Sequence, residues 1–196
     1  MRQINQKEKE LAKQQKYLAE KHALLQSNPS LRLPDNAGEL TREELLEEWW
    51  KVYHNMMKLD NGRYFRDNMK TYDDFMIQTY SLQPQNSPIL LSFTMFMQSI
   101  KHLGSDAQVQ KYYEPAALLN IIGCYAQTEL GHGSNVAGLE TTATLDKATD
   151  EFVIHTPNIK ATKFWPGALG LHSTHAIVFA RLIVDGRDYG VKPFIV

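Results

Sequence analysis

The residues best placed to meet a ligand lie in one stretch, Ile121 to Leu139, which reads IIGCYAQTELGHGSNVAGL. An apolar run, Ile121 to Ala126, can enter a sheet, and it breaks into Gln127, Thr128, Gly131, Gly133, Ser134 and Asn135. Gly131, Gly133 and Gly138 permit positive φ and close approach of a ligand to the backbone. Amides and hydroxyls at a strand end suit an electron-rich ring or a phosphate. Spacing alone leaves a plain chain turn and a ligand loop equally open. His132, held between two glycines, could donate to a phosphate, although a loop-shaping role is favoured. His172 and His175 have HxxH spacing but no third ligand, so no metal site is expected. Cys124, the single cysteine, reads as an inert thiol buried in an apolar strand and excludes an internal disulfide.

These residues need elements to hold them. Residues 3–26 read as a helix with Ile4, Leu11, Leu18 and Leu25 in one thin stripe. The alternate seam positions Glu8, Gln15 and His22 are polar, which argues against a coiled coil, and Asn28-Pro29 ends the helix. Thr41-x-x-Glu44 is a capping box with Leu40 and Leu45 as its staple. It opens a helix on which Trp49, Val52, Tyr53 and Met56 repeat; one of Trp49 and Trp50 should enter the core and the other stay partly open. Asn61-Gly62 is its stop signal. A third helix is expected over 67–80, then a loop framed by Pro84 and Pro88. Ile89 to Leu103 is apolar nearly all round, which predicts burial, with Lys101 and His102 in its last turn as dipole-compensating residues. Ser105-x-x-Gln108 caps a short helix expected to stop before Pro115. Beyond residue 120 the period becomes two. Leu139–Leu145, Phe152–His155, Ala176–Val184 and Gly190–Val196 read as strands of an antiparallel sheet. A sheet ending at Val196 with an open edge suggests that the chain is a piece of something longer.

Composition supports this division. Only three of the eleven glycines precede residue 120, and all seven methionines precede it. The expected domains are an extra helix over 1–30, a helical domain over 31–120 and a partial β domain over 121–196: an α+β, multi-domain fold. With 43% hydrophobic and 22% charged residues, the composition is that of an ordinary globular protein. A formal net charge of −1 speaks against nucleic-acid binding. No apolar run is long enough to span a bilayer, and no signal peptide is evident.

Two segments stand out together: Tyr125-Ala-Gln-Thr-Glu-Leu-Gly-His-Gly-Ser-Asn135 and Lys163-Phe-Trp-Pro-Gly-Ala-Leu-Gly170. They resemble the flavin-binding segments YAQTE-x-GHG-x and KWWPGGLG of the acyl-CoA oxidases, within the acyl-CoA dehydrogenase superfamily. The resemblance is specific from about Ser105 to Val196 and looser from Leu31 to Gly104. Phe164 stands where the pattern has tryptophan, and Ala168 where it has glycine.

The resemblance implies an FAD enzyme that converts fatty acyl-CoA to 2-trans-enoyl-CoA with O2 as acceptor, giving H2O2. It implies an acyl-CoA dehydrogenase-like fold completed by a C-terminal helical domain, a peroxisomal location and a homodimer at full length. Thr128 and Gly167 match the flavin-facing positions, with Gln127, Trp165 and Tyr125 shaping that site. Ser134 and Gly133 match the segment that meets pyrophosphate or acyl-CoA. Gly167 is expected to leave space for O2. The catalytic base is expected beyond Val196, so Glu129 is read as structural, and the isolated chain is expected to lack activity and to hold FAD weakly or not at all. The alternatives are a dehydrogenase with an electron-transfer partner and a short, non-catalytic family member that binds acyl-CoA or another protein.

Overall fold

The computed structural model describes residues 2–59 and 87–196. The helix expected over 67–80, the stop signal at Asn61-Gly62 and Pro84 lie outside the described residues. The chain divides into two compact units, Met1–Pro88 and Ile89–Val196. The switch in composition near residue 120 therefore falls within the second unit, where helices and sheet share one core.

In the first unit, α1 (Arg2–Ser27) is followed by a 3-10 turn, Pro29–Leu31. Two residues of its apolar stripe are open, Leu11 at 55% exposure and Leu18 at 40%. α2 (Arg42–Lys58) starts at the expected capping box. Thr41 Oγ1 accepts the Glu44 N–H at 3.3 Å, and Glu44 Oε2 accepts the Thr41 N–H at 2.8 Å. Trp49, Val52, Tyr53 and Met56 are buried. Trp49 stacks on Tyr53 at 5.5 Å between ring centroids, while Trp50 is half-buried. The tryptophan pair thus divides as helical spacing predicts. Asn55 Nδ2 donates to the Ser30 carbonyl at 3.0 Å, tying α2 to the preceding turn.

The second unit opens with a helix over 90–103, in which a π-helical turn, Ser92–Phe96, leads into α3 (Met97–Leu103). Its buried face carries Phe93, Phe96, Met97 and Ile100, whereas Leu91, Met95 and Leu103 are exposed. The all-round burial expected from the sequence holds on one face only. A second capping box, Ser105 with Gln108, starts α4 (Asp106–Gln108). A π-helical turn, Val109–Tyr113, continues it into α5 (Glu114–Ala117). The helix therefore does not stop before Pro115. In an α-helix a proline ring clashes with the carbonyl four residues back. Here the Glu114 N–H reaches five residues back to Val109, a widened turn that lets the chain carry a proline onward.

The strands are β1 (Gly123–Ala126), β2 (Thr142–Asp146), β3 (Glu151–His155), β4 (His175–Val184) and β5 (Arg187–Ile195). The β2–β3 and β4–β5 hairpins are antiparallel, as expected. β1 and β2, however, both run parallel to β4, so the sheet is mixed rather than antiparallel. A tight hairpin forces antiparallel pairing, but a long connection leaves either direction open. Residue alternation carries no sign of direction. β4 is central: β5 pairs along one edge, and β1 and β2 take successive stretches of the other, Gly123↔His175 to Ala126↔Val178 and then Thr142↔Arg181 to Thr144↔Ile183. Of its apolar run AIVFARLIV, Ile177 and Ala180 are buried and the rest half-buried. Phe96 seats the helix on β1, its ring lying where a Cβ on Gly123 would be, 2.0 Å away. Ser92 Oγ accepts the Gly123 N–H at 3.0 Å.

Candidate functional site: two paired strand-end loops

β1 delivers the chain into Gln127–His132, and the crossover to β4 passes through 158–174. The two loops meet as a short antiparallel ladder. The Leu130 N–H donates to Thr162 O at 2.9 Å, Gly131 N–H to Lys160 O at 2.8 Å and Phe164 N–H to Thr128 O at 3.0 Å. Glu129 bridges both His132 and Lys163 through the backbone. The two segments singled out in the sequence are therefore hydrogen-bonded neighbours, and Thr128 lies opposite Phe164.

Glu129 sits at the centre of this junction, with a fully buried side chain. Its Oε1 accepts from the Thr141 N–H at 2.9 Å, Thr141 Oγ1 at 2.6 Å and Lys163 Nζ at 3.1 Å. Its Oε2 lies 2.9 Å from the Glu140 nitrogen and 2.9 Å from His132 Nδ1. Burial pushes this carboxyl upward, but the hydrogen bonds from Thr141, the Glu140 and Thr141 amides and Lys163 outweigh it and hold the group at about 2. An ionised carboxylate with its lone pairs so occupied is a poor proton acceptor. Lys163 is likewise saturated: Nζ also donates to Gln127 O at 2.9 Å and Phe179 O at 2.7 Å. Burial pushes the Lys163 ammonium down, while Glu129 opposes the shift.

Neither Lys163 nor Thr141 was given a role by sequence reasoning. A signal was present, because a carboxylate entering an apolar core needs donors and a lysine opens the second motif. Their positions across the crossover were not readable from spacing.

The other predicted residues divide into fixed and open groups. Gln127 is fixed through its Oε1, which accepts the Tyr125 hydroxyl at 2.7 Å; the Tyr125 ring packs on Phe179 at 5.1 Å. Phe164 and Trp165 stack at 5.4 Å, and the indole is 76% exposed. Trp165 and Ala168 both have positive φ, 50° and 73°. Ala168 therefore bears strain that a glycine would not, and its carbonyl accepts the N–H groups of Leu171, His172 and Ser173. Gly133 and Ser134 are exposed, and a Cβ on Gly133 would meet nothing within 4 Å. Asn135 Oδ1 accepts the Gly138 N–H at 3.1 Å, so it closes the loop. Gly167 does not border empty space: a Cβ there would come within 2.6 Å of Leu91 Cδ1. That atom is the tip of a side chain that is itself 40% exposed.

His132 shapes the loop, lying between Glu129 and Glu140, with Nε2 3.4 Å from Glu140 Oε1. Burial raises the Cys124 thiol, against a hydrogen bond with Ser173. The His175 Nδ1 lies 2.9 Å from Thr174 Oγ1 and its ring meets Tyr112. Among the described residues, no group of three or more His, Cys, Asp or Glu is arranged to hold a metal ion. A cavity of about 260 Å3 between α3, α4 and the sheet is lined by Ile100, Tyr112, Phe152, Ile177 and Phe194 among others, and by none of the loop residues just described.

The paired loops expose an apolar patch, the stacked Phe164 and Trp165 rings next to the Thr128 backbone, and in the first loop the exposed Gly133–Ser134 segment. An exposed aromatic pair can stack on a planar ring, and exposed backbone amides can meet a polar group.

Comparison with known proteins gives the setting. Residues 1–122 match the family model described as acyl-coenzyme A oxidase N-terminal. The peroxisomal acyl-coenzyme A oxidase 1 of Arabidopsis thaliana is 61% identical over 106 residues, covering 54% of this chain and 16% of that protein. The putative peroxisomal acyl-coenzyme A oxidase 1.2 of the same plant is 42% identical over 184 residues, covering 90% of this chain and 27% of the relative. Acyl-CoA oxidase-2 of Caenorhabditis elegans, solved with FAD, ascaroside-CoA and ATP, superposes with a TM-score of 0.80 at 34% identity, over 95% of this chain and 28% of that one. The chain thus spans 16–28% of these relatives' length.

Proposed function

Because the chain belongs to the acyl-coenzyme A oxidase family, we propose that it forms part of the flavin- and acyl-CoA-binding region of an enzyme that oxidises fatty acyl-CoA to 2-trans-enoyl-CoA. In that reaction the substrate gives up its α-proton and, as hydride, one β-hydrogen; the two electrons pass to O2, which takes up two protons to become H2O2. FAD would supply the hydride-accepting ring. The residues present fit that group on one side. Thr128 would meet the ring edge through its hydroxyl and N–H, while Trp165 and Phe164 offer an apolar face that excludes water. Gly167 keeps this wall close to Leu91. Gly133 and Ser134 form the candidate contact for pyrophosphate or the acyl-CoA, their open backbone admitting a ligand without a side chain in the way.

The observation that carries this reading is the hydrogen-bonded pairing of the two loops, which brings Thr128 opposite Phe164. Titration of the purified chain with FAD, followed by quenching of flavin fluorescence, tests it. Weak but saturable binding that is lost in Trp165→Ala is expected. Binding that does not saturate, or that survives both Trp165→Ala and Thr128→Ala, would overturn the reading.

Glu129 is ionised and saturated, and by the family resemblance we assign the base that removes the α-proton beyond Val196. That state of Glu129 also favours a second reading, a chain that binds acyl-CoA without transforming it. A dehydrogenase with an electron-transfer partner would occupy the same walls; O2 consumption separates it from the oxidase. A peroxisomal location and a homodimeric assembly complete the proposal, the first from the names of the relatives and the second from the family resemblance.

A further inference from the structure

Glu129 and Lys163 take no part in the chemistry above, yet they form a buried ion pair, with side-chain exposures of 0% and 12%. Buried pairs add little net stability over a well-packed apolar pair; what they can fix is register. Their place in the chain shows which register. Glu129 follows Thr128 directly, and Lys163 directly precedes Phe164 and Trp165. Lys163 Nζ reaches the end of β1 through Gln127 O, β4 through Phe179 O and the first loop through Glu129. Glu129 in turn takes the backbone of Glu140 and Thr141, at the entry to β2. One pair thus gathers three strands and both loops at the two positions that flank the candidate ring contacts.

We propose that Glu129 and Lys163 are positioning residues: the pair locks loops 127–132 and 160–164 into one preformed wall and thereby sets the chain's affinity for a flavin ring. This rests on the flavin reading above. A neutral substitute such as Gln and Met could fill the space, but it could not bind three carbonyl and carboxylate acceptors from one ammonium group. The ladder between the loops would then be held only by its own backbone bonds, and Thr128 could shift against Phe164.

The test uses the whole chain with FAD as probe. In the parent, amides of Leu130, Gly131 and Phe164 should exchange with solvent as slowly as those of the β2–β3 ladder, without cofactor. In the double variant Glu129→Gln/Lys163→Met, those amides should exchange at least about tenfold faster while the β2–β3 amides hold, and the FAD Kd should rise by about tenfold or more. Lys163→Met alone should show the same pattern with a lowered Tm. Fast loop exchange in the parent, or unchanged loop protection or unchanged Kd in a folded double variant, overturns the proposal. Failure of both variants to fold also overturns it, because the pair would then be a requirement of folding and not a positioning device. If the parent shows no saturable FAD binding, the flavin reading fails, and with it the link to affinity; the exchange result still reports whether the pair holds the wall.

Discussion

At the scale of single residues, Glu129 shows how far type alone can mislead. Its place in a glycine-rich motif invites a catalytic role; the family resemblance reads it as structural, and its partners supply the physical reason. The same partners give it a measurable pH signature. Its folded carboxyl lies at about 2 against an ordinary 4.5. A depressed carboxylate stabilises the fold fully above its unfolded value and loses that contribution as pH falls from about 4.5 toward 2. The shift corresponds to roughly 3 kcal/mol. Urea midpoints should therefore separate the parent from Glu129→Gln most widely above about pH 5, with the gap narrowing as pH falls toward about 2; a gap that stays constant would contradict the assignment. Gly123 offers a steric counterpart. A Cβ there would lie 2.0 Å from the Phe96 ring, and the ring is fully buried. Gly123→Ala should cost about 1–3 kcal/mol or more through overpacking, read as a lower unfolding midpoint, with Phe96→Leu partly restoring it. The sequence offered no sign of this contact, because the two residues meet only when a helix folds onto β1.

At the scale of elements, what could be read was what local chemistry decides. Both capping boxes formed where the spelling Thr-x-x-Glu and Ser-x-x-Gln placed them. The stop at Asn28-Pro29 held, and both hairpins turned at polar or Asp-Gly sequences. The direction of β1 and β2 against β4 was not legible, since it depends on how the long crossover returns. Pro115 departs from the sequence expectation for a related reason: the rule against proline assumes an α ladder, and the preceding π-helical turn changes that ladder. The capping boxes give a test confined to one element. Thr41 Oγ1 satisfies an amide that is otherwise an orphan at the start of α2. Thr41→Ala should lower stability by about 1 kcal/mol and Thr41→Ser should leave it nearly unchanged. Equal midpoints for parent and Thr41→Ala would show that water serves the amide equally well.

At the scale of the molecule, the two motifs were legible as a pair from their spelling, and the fold explains the pairing through one ladder. What a ligand needs beyond this wall is a different matter. The chain spans 16–28% of its relatives' length, and the wall it builds presents one side to solvent, with Trp165 76% and Phe164 48% exposed. A ring bound on one face keeps much of its contact with water, so only part of the binding energy of an enclosed site is available. Proton abstraction also needs a free carboxylate within hydrogen-bond reach of the substrate. Glu129 is fully engaged, and Glu140, the next carboxylate along the loop, accepts from Asn158 Nδ2 at 2.6 Å and faces His132. The purified chain should therefore emerge colourless from desalting after incubation with FAD. With FAD and a long-chain acyl-CoA in air it should form H2O2 no faster than free FAD does. A peroxidase-coupled assay measures this directly. Turnover above the free-FAD background that disappears in Glu129→Gln would return the catalytic role to Glu129. Turnover that persists in that variant would place a competent base elsewhere in these residues.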